Sequence, residues 1–181
     1  MHRLRRLPDP PHKIARGIAA GVFVCFTPFF GFHFFLAAGL AYVMQGNILA
    51  ALLATFFGNP FTFPIIAAVA LELGQWMLDA PNVGPLGQVF AQFGRASAEL
   101  WQNIVGMFFG EPAHWDRLGR FFWRIMWPYT VGGIIPGVIC AVVTYYLALP
   151  TVSAYQRRRI AKLKERHDAR QQASDKDDQN K

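Results

Sequence analysis

GIAAGVFVCFTPFFGFHFFLAAGLAYVMQGNILAALLATFFGNPFTFPIIAAVAL (Gly17–Leu71) contains no Asp, Glu, Lys or Arg. One membrane-spanning helix needs only ~20 apolar residues, and this stretch is about 55 residues long. It reads as membrane sequence. It is not one clean run, because three breaks divide it: Thr27-Pro28 with Gly31, Gln45-Gly46-Asn47, and Gly58-Asn59-Pro60 with Pro64. Each piece between breaks is shorter than a bilayer crossing.

Composition agrees. The 181 residues are 53% hydrophobic and 16% charged, below the roughly 25% charged residues of an ordinary soluble domain. The length suits one domain of about five to seven helices. The net charge of +7 sits at the two ends, in Arg3, Arg5, Arg6, Lys13 and Arg16 and in Arg157, Arg158, Arg159, Lys162, Lys164, Arg166 and Arg170. Such flanks mark cytoplasmic segments by the positive-inside bias, and topology explains them without nucleic acid as a partner. Cys25 and Cys140 lie in apolar runs and read as small packing residues. The basic start before Ile14–Phe26 imitates a signal peptide, but a second long apolar segment follows Pro28 and no small-residue cleavage site stands before a polar start.

Working outward, Met1–Pro11 reads as a basic, proline-rich cytoplasmic arm, with the arm as a whole placed at 1–13. A helix is expected from His12 to Phe26, where Gly17 and Gly21 make a small-xxx-small face for close backbone approach. Phe32–Met44 follows the first break. Ile48–Phe57, the second break and Ile65–Leu78 repeat the arrangement, and Thr27-Pro28-Phe29 slides onto Asn59-Pro60-Phe61 as a weak internal repeat. Beyond a loop, Leu86, Val89, Phe90, Phe93, Leu100, Trp101, Ile104, Val105 and Phe108 recur at three and four residues. Gln88, Gln92, Arg95, Glu99, Gln102 and Asn103 take the other side, which predicts an amphipathic interfacial helix. Gly110-Glu111-Pro112 should end it. Trp115, Phe121, Phe122, Trp123 and Trp127, interleaved with Arg117, Arg120 and Arg124, read as an aromatic belt. Tyr129–Leu149 is the uninterrupted span, with Gly132, Gly133, Pro136 and Gly137 for close contact or a mild kink. A basic cytoplasmic tail, 150–181, completes the chain: a highly charged helix with little apolar face from Tyr155, then Gln171–Lys181, which is expected to be disordered.

The expected fold is therefore an all-α integral membrane domain over 14–149. It comprises Pro-broken helix pairs (14–78), an interfacial or periplasmic segment (79–128) and a transmembrane helix (129–149). If both basic ends are cytoplasmic, the number of crossings is even. One of the units Ile14–Met44 and Ile48–Leu78 then crosses once, and the other returns as a re-entrant loop. Such backbone is tolerated only where protein or a wet cavity covers it.

Gly17, Gly21 and Phe23, Pro28 with Gly31 and His33, Asn47, Asn59-Pro60-Phe61-Thr62 with Pro64, and Gly74 together carry a resemblance. Over roughly Pro11–Gly74 the chain resembles the bacterial integral-membrane family known as domain of unknown function number twenty sixty-two. The resemblance implies an inner-membrane helical protein without an established activity, and some relatives are fused to glycosyltransferase-like domains. The family often has a basic residue before Asn47, whereas Gln45 and Gly46 stand here.

Candidate substrate-binding residues are Thr27, His33, Asn47, Asn59, Thr62, Glu72 and Arg16, around the breaks at Pro28, Gly31, Pro60 and Pro64. Thr27, Asn59 and Thr62 could form a polar floor for an anionic headgroup, or could simply satisfy backbone groups freed by the prolines. His33 reads as a proton relay or as a histidine bonded to a neighbouring carbonyl. Glu72 is expensive in lipid and wants a partner, such as Arg16, or an interfacial, solvated position. No catalytic constellation, metal spacing or cofactor motif is present, so the chain is not read as an enzyme. The favoured function is a small transporter or lipid-handling protein for a polar or anionic substrate, with membrane lipid as partner. The alternative is a non-catalytic membrane scaffold or partner of an envelope glycosyltransferase-type enzyme.

Overall fold

The structure is a computed structural model that describes residues 9–29, 31–109 and 115–179, with side chains described through 161. The basic arm through Pro8 and the Gly110-Glu111-Pro112 stop lie outside the described residues, which form helices joined by turns and loops and contain no strand. The order is α1 (Pro11–Val24), α2 (His33–Val43), α3 (Ile48–Ala54) with a 3-10 turn at Thr55–Phe57, α4 (Phe63–Leu78), α5 (Leu86–Phe109), α6 (Asp116–Phe121), a π-helical turn (Phe122–Met126) and α7 (Trp127–Gln179).

Local chemistry sets the ends. Pro11 and Pro64 occupy first-turn positions of α1 and α4, where a missing N–H costs nothing. Gly31, at φ 87°, turns the chain between α1 and α2 in a region that glycine enters without strain. Gln45, at φ 52°, closes the turn after α2. Asn47 then caps α3, its Oδ1 accepting from Ala50 N at 2.6 Å. Asp79 ends α4 in the left-handed conformation at φ 48°.

The path of the chain follows from close backbone contacts. A Cβ on Gly17 would lie 2.1 Å from Asn47 O, and one on Gly21 would lie 2.2 Å from Ala51 O. Cys25 Sγ donates to Thr55 O at 3.3 Å, so α3 runs parallel to α1 over its whole length. α2 lies between them in order and runs back along α1, because Asn47 N donates to Lys13 O at 2.8 Å after α2 has ended. α7 runs opposite to both α1 and α4: Gly133 meets Phe26 and Gln156 meets Asp9, while Gly132 meets Ala70 and Gly74 meets Pro128. α4 therefore continues in the direction of α3, beyond the level at which α1 stops.

Three small cores follow this path. Ala20, Val24, Ala37, Ala41 and Ala51 join α1, α2 and α3 through alanine-sized contacts. Val22, Cys25, Phe26 and Ile66 bridge α1 to α4. Ala67, Ala70, Leu71, Val89, Ala96, Phe121, Ile125 and Tyr129 join α4 and α5 to the α6–α7 junction.

Much of the apolar surface stays outside, including Phe61 at 87%, Phe108 at 84% and Trp76 at 80% exposure. Among the described residues one helix, Asp116–Ala161 through the π turn, is long and apolar enough to cross a membrane, and only 17% of its apolar window is buried.

One expectation changes. The apolar span and the charged helix expected from Tyr155 form one α7 that passes Pro136 and Pro150 to Gln179, so residues 171–179 are helical rather than disordered. The tail is rich in Ala, Gln, Lys and Arg, strong helix formers that need no packing partner to favour this state. The apolar residues of α5 differ in burial. Val89 and Ala96 turn inward with the polar Glu99 and Asn103, while Leu100, Trp101, Ile104 and Phe108 turn outward.

Candidate functional site

The two proline breaks meet at Cys25 and Gly58. A Cβ on Gly58 would stand 3.1 Å from Cys25 Sγ, and the Phe26 and Phe57 rings stack at 6.4 Å between centroids. Around them the polar candidates turn to backbone. Thr27 Oγ1 donates to Val24 O at 2.7 Å, and His33 Nε2 lies 3.2 Å from Thr27 O. Asn59 Oδ1 accepts from Phe61 N at 2.9 Å and from Thr62 N at 3.1 Å. Thr62 Oγ1 donates to Phe57 O and accepts from Asn59 N at 3.0 Å. These bonds satisfy peptide groups that a proline break would leave orphaned.

What opens beside the breaks is apolar. A cavity of about 300 Å³ is lined by Pro28, Phe63, Ala67, Val89, Phe90, Phe93, Phe121, Ile125 and Tyr129. It joins the first break, through Pro28, to the first turn of α4, through Phe63. Thr27, His33, Asn59 and Thr62 are not in its lining.

Asn47 and Arg16 belong to the opposite end. Asn47 Nδ2 donates to Asp9 Oδ2 at 2.6 Å, and Lys13 Nζ pairs with Asp9 Oδ1 at 3.0 Å. The bond from Asn47, and after it the one from Lys13, hold the Asp9 carboxyl below the usual carboxylate range. Gln156 Nε2 donates to Asp9 O at 2.9 Å, which ties α7 to the start of α1. Arg16 Nη1 donates to Met44 O at 2.9 Å at the C-terminal end of α2, where a cation complements the helix carbonyls.

Glu72 is exposed and lines a recess of about 350 Å³ with Gln75, Asn82, Gly84 and Pro85. It lies two residues from Gly74, which packs on Pro128, so the structure does not bring it to Arg16. Among the described residues no group of three or more His, Cys, Asp and Glu gathers as for a metal ion.

A larger cleft, about 660 Å³, opens between α5 and the α6–π segment. Gln88, Ala91, Gln92 and Arg95 form one wall; Arg117, Arg120, Phe121 and Arg124 form the other. Behind it Glu99, only 7% exposed, faces inward and accepts from Arg117 N at 3.2 Å and from Leu118 N at 2.5 Å. The carboxylate caps the first turn of α6 from a different helix, at an end where negative charge is favoured. Sequence reasoning did not single out these arginines as a site. Their signal is the spacing of three and four at Arg117, Arg120 and Arg124, repeated at Gln88, Gln92 and Arg95, which sets each trio on one helix face.

Over the described residues these features define a helical, strand-free protein with one possible membrane-spanning helix and small-residue helix contacts. The chain belongs to the bacterial family described as "Uncharacterized protein conserved in bacteria (DUF2062)", whose family model matches residues 1–161. Neither the curated proteins nor the solved structures contain a match.

Proposed function

We propose that this chain is an integral protein of the bacterial inner membrane that handles a lipid or a lipid-borne anionic substrate without covalent chemistry. In this reading α1 and α2 form a re-entrant hairpin, the broken helix α3–α4 crosses once, and α7 crosses back, leaving both basic ends in the cytoplasm. The course of the chain supports it: α2 returns to Lys13, whereas α4 carries on past the end of α1. From Pro128 to Gln156, α7 covers roughly 42 Å at ~1.5 Å per residue, close to the ~40–45 Å of a bilayer with its headgroups. Large exposed apolar side chains such as Phe61 and Phe108 need a solvent other than water. Reporters fused after Ser97 and after Lys181 are expected to give opposite signals, and matching signals would overturn this topology.

The observation that carries the lipid reading is the apolar cavity at the meeting of the breaks. Its volume is at the lower end of the ~300–1,000 Å³ of ligand pockets, and its lining suits a hydrocarbon chain. Ala67, 3% exposed, contributes to that lining, so Ala67→Phe is expected to fill the space. Native mass spectrometry of the purified protein should find lipid on the wild type, reduced about tenfold on the variant at an unchanged melting temperature. Equal lipid on both would sink the reading. Truncation after Pro150 should spare lipid retention. A defect in cells caused by that truncation alone would favour the scaffold alternative, in which α7 serves an envelope enzyme.

A further inference from the structure

We propose that the cleft walled by Arg95, Arg117, Arg120 and Arg124 binds a phosphomonoester or diphosphate group, carried on a lipid whose apolar chain occupies the cavity behind Phe121. The tail assignment rests on the lipid-handling reading, and the headgroup assignment does not.

Every Lys and Arg between Asp79 and Pro128 lines this one cleft. The same segment has Asp79, Glu99, Glu111 and Asp116, so its composition is balanced, but its geometry is not. Asp79 terminates α4, Glu99 is spent on the backbone of α6, Asp116 makes no ion pair with the arginines, and Glu111 lies outside the described residues. Among the described residues none of the four guanidiniums pairs with a carboxylate. Four cations around one open volume repel each other, and a multiply charged anion relieves that repulsion more than a singly charged one does. Guanidinium is also the planar, bidentate partner of phosphate, and Gln88 and Gln92 add neutral donors on the facing wall.

One more feature points to a lipid rather than a free anion, and two others mark the cleft itself as a site. Phe121, 6% exposed, lines both the arginine cleft and the apolar cavity, so a charged space and an apolar one share a wall. In the proposed topology the cleft lies on the side opposite the two basic ends, against the usual bias of Lys and Arg toward the cytoplasm. The π turn Phe122–Met126, which carries Arg124, interrupts the helix at this wall, and such widened turns recur at functional sites.

The test uses the full-length protein. Inorganic pyrophosphate is titrated onto the detergent-solubilised protein, and the protein is then offered phosphatidylcholine nanodiscs containing phosphatidic acid, or phosphatidylglycerol at matched charge. Arg117→Gln with Arg124→Gln should weaken binding of pyrophosphate and of phosphatidic acid by about tenfold or more, since each removes charge-assisted bonds. All four arginines are exposed, so the melting temperature of the variant should hold. Arg120→Lys should lose less, keeping charge without the planar fork. Arginine-dependent binding of pyrophosphate without preference for phosphatidic acid discs would keep the anion site and overturn the lipid assignment. Variant binding within about twofold of wild type for both probes would overturn the site, even if Ala67→Phe still strips lipid from the cavity.

Discussion

Gly74→Val is expected to abolish accumulation of folded protein. A Cβ at Gly74 would stand 1.8 Å from Pro128 O and 2.5 Å from its carbonyl carbon, and both obstacles are backbone. Real Cβ contacts stay beyond 3.0 Å, so α4 and α7 would have to part along their contact. Parting them also opens Gly132, which approaches Ala70 O and Gly74 N from the other helix. Overpacking of a tight core costs about 1–3 kcal/mol and more when nothing can yield, a large share of a total stability of ~5–15 kcal/mol. Gly39, which has nothing within 4 Å, provides the control. Gly39→Ala should match or exceed wild type, because alanine is the better helix former by roughly 0.5–1 kcal/mol. Yield and thermal unfolding in detergent decide the matter. A Gly74→Val protein that melts with the wild type would refute the α4–α7 contact described above.

Glu99→Leu is the second change with a large expected effect. Leucine has similar bulk but leaves the amides of Arg117 and Leu118 without their acceptor at a site that is nearly closed to water. Bonds to a charged group are worth about 1.5–3 kcal/mol each, and an unmet buried donor adds its own penalty, so a loss of about 2–4 kcal/mol is expected. Glu99→Gln retains an acceptor oxygen and should recover part of it. The readout is the difference in unfolding free energy between the two variants. Equal stability of Glu99→Leu and wild type would mean that the carboxylate does not hold α6 against α5. Phosphate binding should fall with Glu99→Leu as well, since Arg117 and Arg120 belong to the element that the carboxylate anchors.

The parts legible in the sequence were those governed by backbone chemistry. Pro28, Pro60 and Pro64 interrupt the ladder wherever they stand, and Gly17 and Gly21 mark a close approach because no larger residue fits it. Which side chains of α5 pack on the protein was not legible. An apolar stripe faces the protein when water is the solvent, and the membrane reading proposed above would reverse that sign. Leu100, Trp101 and Ile104 point outward and Glu99 and Asn103 inward. The arginine cleft was hidden for a related reason. It forms only when α5 and α6 come together, and no local pattern states that Arg95 will face Arg124. Nor could spacing tell whether Thr27, Asn59 and Thr62 served a ligand or their own backbone; their hydrogen bonds supply local acceptors and donors.

The length of α7 fixes a distance. Gln156 meets Asp9 at the foot of α1, and the rod then runs on to Gln179, roughly 35 Å further at ~1.5 Å per residue. If the proposed topology holds, a protein gripping its last turns would be held off the lipid surface by up to about the width of a small domain, and one gripping the collar at Arg157–Arg159 would be pressed against the headgroups. The height of attachment along a single rod would then decide what can reach the bilayer.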